Sequence, residues 1–158
     1  MENITTVLLI RHADIDIPEG VVDRNAISLN SIGKKRAQNL VNIVERAPIS
    51  AVYTSDIQRS IQTAEPLIKR LQPNITHKEF NKSQEIAEDI LSNYKGKNVL
   101  VIHHANTVPE IIKILSNEIV GTISESEFDN FYIVNIYTSD NEENKYTNVV
   151  HLKYGNSI

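Results

Sequence analysis

The sequence predicts an α/β fold, a three-layer sandwich with a mostly parallel central sheet and helices on both faces. Three observations predict it. Short apolar runs such as Val7-Leu8-Leu9-Ile10 and Val99-Leu100-Val101-Ile102 have the length and composition of fully buried strands. Between the runs lie segments with apolar residues at helical spacing, and alternating strands and helices imply parallel pairs covered on their faces. Both runs also end in histidine, at Arg11-His12 and at His103-His104. In open α/β sheets the ligand crevice lies beyond the carboxyl ends of the strands, so the two ends point to one assembled site.

Strands are predicted at about 5–11, 50–54, 98–103, 131–138 and 147–153, with a weaker one near 75–78. The helix over Ser31–Arg46 carries Ala37, Leu40, Val41 and Val44 on one face. Ser55–Leu71 opens on Ser55-x-x-Gln58, a capping-box pattern, and Pro66 is expected to kink or split this helix. Asn81-x-x-Gln84 opens another, with Ile86, Ile90 and Tyr94 on one stripe. Asn106 is the expected cap of a helix with Pro109 in its first turn, running through Leu115. The last two strands follow one another without a helix, which predicts a hairpin across Ser139–Lys145. With no repeat and no low-complexity tract, residues 1–158 read as a single domain, long enough to bury a core.

A formal charge of −4 argues against a nucleic-acid or membrane-surface binder driven by bulk charge. The chain has no cysteine, which excludes disulfides, thiolate catalysis and zinc–thiolate sites. Met1–Thr6 lacks the basic region and apolar stretch of a signal peptide, and no apolar segment approaches the length of a membrane span. A cytoplasmic location is therefore expected, with no membrane or nucleic-acid partner. The oligomeric state is not legible.

A neutral histidine is a competent nucleophile near neutral pH, and an adjacent arginine offers a fork matched to phosphate oxygens. That is one reading of Arg11-His12; the other is a hydrogen-bonded strand-end histidine beside a surface charge. Arg59 falls in the first turn of its helix, where a cation opposes the macrodipole unless an anion is bound beside it. Its alternative is a solvated side chain bending away. His104 ends its strand just before a helix start, so a phosphate beside it and Ala105 meets free backbone N–H groups. His103 and His104 are strand neighbours pointing to opposite faces, which disfavours a shared metal. His77 and His151 have no partner in their local patterns and read as structural or solvent-facing.

Two arginines, two strand-end histidines and a helix N-terminus can converge on one dianion, and here the chain resembles the histidine phosphatase superfamily, of phosphoglycerate mutase-like fold. The matching blocks are 7–13 (VLLIRHA), 29–37 (LNSIGKKRA), 52–64 (VYTSDIQRSIQTA) and 101–109 (VIHHANTVP), in the family's order. The Tyr154-Gly155 ending is similar to some short bacterial members. The resemblance implies that His12 is the nucleophile and forms a phosphohistidine. It implies that Arg11 and Arg59 bind the phosphoryl oxygens with His104 as a further ligand, with Ala105 beside it. No metal and no cofactor are implied, since fixed cations supply the charge neutralisation that phosphoryl transfer needs.

Two departures stand out: Ala13 replaces the usual glycine, and His103 replaces the usual small residue before the second histidine. The general acid is Glu79 by position, with Asp14, Asp16 and Glu19 as rivals in the loop after His12, or none. The short stretch between Arg59 and His104 leaves little room for the cap of a sugar-phosphate mutase, which favours hydrolysis in an open site. The expected partner is a small phosphorylated substrate. The alternatives are a phosphohistidine protein or a catalytically weak phosphate-binding domain on the same fold.

Overall fold

Six strands and four helices make up the computed structural model, which describes residues 3–155. Met1 and Glu2, part of the N-terminal reading above, lie outside the described residues. In chain order the elements are β1 (Asn3–Arg11), α1 (Ser31–Val44), β2 (Ile49–Thr54), α2 (Gln58–Leu71) and β3 (Thr76–Glu79). They continue with α3 (Ser83–Asn93), β4 (Asn98–His103), α4 (Thr107–Ser116), β5 (Asn130–Thr138) and β6 (Lys145–Lys153). The strands form one sheet in the order β3-β2-β4-β1-β5-β6. β3, β2, β4 and β1 run parallel, while β5 and β6 are antiparallel additions, the last two joined as the predicted hairpin.

β1, β2 and β4 carry apolar runs because both faces of the sheet are covered there. Val7, Leu9, Tyr53, Val99 and Val101 pack with Ile86, Ile90, Ile111, Ile112 and Leu115 of α3 and α4. Leu8, Ile10, Val52, Leu100 and Ile102 pack with Leu40, Val41, Ala64 and Leu67 of α1 and α2. This is the predicted three-layer α/β sandwich, and no helix among the described residues is long and apolar enough to cross a membrane.

Three helix starts differ from the sequence reading, two of them because the side chain has other work. Ser55 does not cap α2, which begins at Gln58 without a side-chain cap; the Ser55 hydroxyl instead bonds His104. Asn81 does not cap α3, and its Oδ1 instead accepts the backbone N–H of Asp56 at 3.0 Å. Asn106 flanks α4 in a helical conformation with no side-chain bond, and Thr107 supplies the local hydroxyl. Pro66 lies inside an unbroken α2. Its missing N–H frees the carbonyl of Gln62, but Thr63, Ala64 and Leu67 are buried around it and hold the helix on the sheet.

The topology positions the site. β1 lies beside β4 in parallel register, with Arg11 opposite His103, and the His12 N–H donates to the His103 carbonyl at 2.8 Å. β2 runs on the other side of β4. The carboxyl ends of β1, β4 and β2 thus deliver Arg11-His12, His103-His104 and Ser55-Asp56 to one edge of the sheet.

Candidate active site

A cleft of about 580 Å³ opens at that edge, lined by Arg11, His12, Ser55, Asp56, Arg59, His104 and Ala105 among others. The predicted phosphate-binding and histidine positions are all brought together here. His12 is only 2% exposed. Its Nδ1 lies 2.9 Å from the carbonyl of Ala13. A carbonyl only accepts, so Nδ1 carries the proton and the Nε2 lone pair faces the cleft. Arg59 Nε donates to that lone pair over 3.1 Å. Burial above all, then Arg11, Arg59 and His104, push the His12 pKa down to about 3, against the raising effect of the Ala13 carbonyl. The imidazole is neutral at any ordinary pH.

Arg11 is buried and its Nη1 donates to the carbonyls of Ser124, Glu125 and Glu127 at 3.0, 3.0 and 2.8 Å. Its guanidinium lies 4.1 Å over the Phe128 ring. Burial and the neighbouring Arg59 lower its pKa, which for a guanidinium leaves the charge in place. Its Nε–H is buried with no protein acceptor. Arg59, the second residue of α2, spans the cleft by also donating through Nη1 to the carbonyl of Arg24 at 2.7 Å. His104 Nε2 meets the Ser55 hydroxyl at 2.8 Å, and its ring centroid is 5.4 Å from that of His12. Burial first, then His103, Arg59 and Arg11, bring its pKa down to about 4, opposed by Asp56.

The expected acids are not gathered here. Glu79 ends the outer strand β3, exposed, and is not among the residues lining the cleft. Asp14 is taken by Arg36, with 2.5 Å between Oδ2 and Nε. Asp16 accepts from Asn30 at 3.1 Å, and Glu19 is exposed in the same loop. The carboxylates that do line the cleft are Asp56 and Glu125, both at its exposed rim. Glu125 Oε1 lies 3.7 Å from Arg24 Nη1. Sequence reasoning passed over both residues. Asp56 lies within the 52–64 segment, where no spacing marks it as a site residue, and Glu125 belongs to a polar segment without periodicity, between α4 and β5.

Other contributors were also unforeseen. Thr63 accepts the Ala13 N–H at 2.9 Å and donates to the Arg59 carbonyl at 2.7 Å, tying the His12 loop to α2. Phe128 packs 5.9 Å from the His12 ring. His77 bonds Thr54 and His151 bonds Asn130, each at 2.8 Å, and neither lines the cleft. Among the described residues no group of three or more His, Cys, Asp or Glu side chains is arranged to hold a metal ion.

The architecture is shared with phosphatases of known structure. The model of the histidine phosphatase superfamily (branch 1) matches residues 7–81, just under half of the chain. Solved structures agree in fold. The protein histidine phosphatase SixA complexed with tungstate is 19% identical with a TM-score of 0.67, over 94% of this chain and 96% of that one. A mycobacterial glucosyl-3-phosphoglycerate phosphatase is 11% identical with a TM-score of 0.71, over 93% and 97%. A protein described as mycobacterial hydrolase 2 is 12% identical with a TM-score of 0.68, over 94% and 90%. At these identities the likeness speaks for the fold alone. No curated protein matches the chain.

Proposed function

We propose that the protein hydrolyses a phosphomonoester without a metal, through a phosphohistidine on His12. The observation that carries this reading is the neutral His12 with its Nε2 lone pair in the cleft, between Arg11, Arg59 and His104. The Nε2 lone pair attacks phosphorus in line, the P–O bond to the leaving group breaks, and the departing oxygen keeps the bonding pair. Arg11, Arg59 and His104, with the backbone at Ala105, hold the three equatorial oxygens. Water then attacks the phosphohistidine and releases orthophosphate, and the imidazole returns neutral. Arg59 Nε donates to the same lone pair that must attack. Substrate therefore has to draw the guanidinium off His12 and onto the phosphoryl oxygens.

The leaving-group proton comes from water or from the rim, where Asp56 and Glu125 sit exposed rather than enclosed against the bond that breaks. That arrangement favours a second reading, a phosphohistidine protein as substrate, because an imidazole leaves with little help from an acid. The SixA protein of similar fold is described as a protein histidine phosphatase. Hydrolysis of p-nitrophenyl phosphate and of phosphoramidate, with EDTA present, tests the proposal. Wild type is expected to turn over at least one of them undiminished by EDTA, and His12→Ala to fall by about 10³-fold or more, the scale of losing a nucleophile. Activity that persists in His12→Ala, or that EDTA abolishes, overturns the mechanism. The ratio of the two rates reports whether a working acid is present.

A further inference from the structure

His103 stands where the superfamily resemblance leads one to expect a small residue, and its ring is 1% exposed. Both ring nitrogens are engaged. Nε2 lies 2.9 Å from the carbonyl of Phe80, so Nε2 carries the proton. Burial keeps the ring neutral by lowering its pKa, which leaves Nδ1 as an acceptor, and the Thr107 hydroxyl donates to it across 2.5 Å. The same Thr107 oxygen accepts the backbone N–H of His104 at 3.0 Å. Each bond fixes the direction of the next, from the Phe80 carbonyl through the imidazole and the hydroxyl to the His104 amide.

The far end of this chain is also anchored. The Phe80 N–H donates to the carbonyl of Thr54 at 2.9 Å, and Asn81 Oδ1 accepts the Asp56 N–H at 3.0 Å. Three segments that build the cleft, 54–59, 80–81 and 103–107, are thereby joined through one buried ring. A small residue at 103 leaves the Phe80 carbonyl and the Thr107 hydroxyl without these partners. It also removes the ring that packs edge-on against His104, with centroids 5.0 Å apart.

We propose that His103 is a positioning residue, which fixes the turn carrying His104 and acts on the phosphoryl group only through it. This rests on the reading of His104 as a phosphoryl ligand. The test is a double-mutant cycle over His103→Ala, His104→Ala and the pair. It is read as the Kd for inorganic phosphate by calorimetry and as kcat on p-nitrophenyl phosphate. His103→Ala is expected to weaken phosphate binding and lower kcat by about tenfold or more, since small misplacements of a positioned group are costly. In the His104→Ala background the same change is expected to add less than about twofold, the signature of two residues acting as one unit.

His103→Asn, whose amide oxygen can still accept from Thr107, is expected to recover part of the loss. Should His103→Ala not fold, Thr107→Val keeps the ring and severs the link, and takes its place in the cycle. An equal penalty with and without His104, or an unchanged phosphate Kd, overturns the proposal and leaves His103 a packing residue. The imidazole ¹⁵N signals of His104 need neither turnover nor ligand and must shift in His103→Ala; unchanged signals also overturn it. Wild type that binds phosphate but hydrolyses nothing refutes the phosphatase reading, while the binding cycle still decides the role of His103.

Discussion

At the residue scale, His12 and His104 make the stability of the fold depend on pH. Their pKa values in the fold are about 3 and about 4, against 6.5 for an ordinary imidazole. Between those limits the unfolded chain binds protons that the native state does not. The stability that goes with keeping these rings neutral is complete above about pH 6.5 and is lost as pH falls toward 4 and then 3. Urea denaturation at pH 7.5 and pH 5 is expected to show lower stability at pH 5, and His12→Gln is expected to shrink the difference. The convergence of Arg11, His12, Arg59 and His104 on one cleft was legible in the sequence because strand ends and helix starts are marked by pattern. The acid at Glu79 was not found in the cleft. Reach into a cleft depends on which way an edge strand turns its side chains, and spacing along the chain does not report that.

The elements illustrate a different limit. Strand positions were readable to within about two residues, the central ones because a run buried on both faces is apolar throughout. Helix starts were less so, because Ser55, Asn81 and Asn106 are good caps in isolation and the fold uses two of them to join segments instead. Where a cap does form, it bears on the site. Asn30 Oδ1 accepts the Gly33 N–H at 2.8 Å, and a Cβ at Gly33 would stand 2.2 Å from the carbonyl oxygen of Asp14. Only glycine lets the start of α1 close on the loop that follows His12. Asn30→Ala is expected to cost about 1 kcal/mol of stability. Gly33→Ala, which forces backbone apart, is expected to cost about 1–3 kcal/mol and to lower kcat as well, since the displaced loop begins at Ala13. Thermal melts and steady-state rates separate the two effects.

Across the whole molecule, the residue that ties the chain together was not singled out from sequence at all. Arg36 lies within the 29–37 segment, yet its partners are 22 and 118 positions away: Asp14, and the Tyr154 carbonyl at 2.7 Å. Its side chain is 7% exposed, and its guanidinium lies 5.5 Å from the centre of the Tyr154 ring. Gly155, at φ +73°, presses against it so closely that a Cβ would meet the Arg36 Nη1 at 2.6 Å. Arg36→Ala leaves Asp14 without its cation and is expected to cost about 3–5 kcal/mol. Replacing both partners, as Arg36→Met with Asp14→Asn, is expected to cost less than Arg36→Ala alone, and chemical denaturation decides between them. This anchor also sets an order of events in time. His12 is made well before Tyr154, and the clasp that steadies its loop waits for residue 154. A nascent chain that has not yet delivered Tyr154 carries every proposed catalytic group and still lacks a finished catalytic loop. The loop after His12 should therefore reach its final form abruptly once Tyr154 is available, rather than growing in step with chain length.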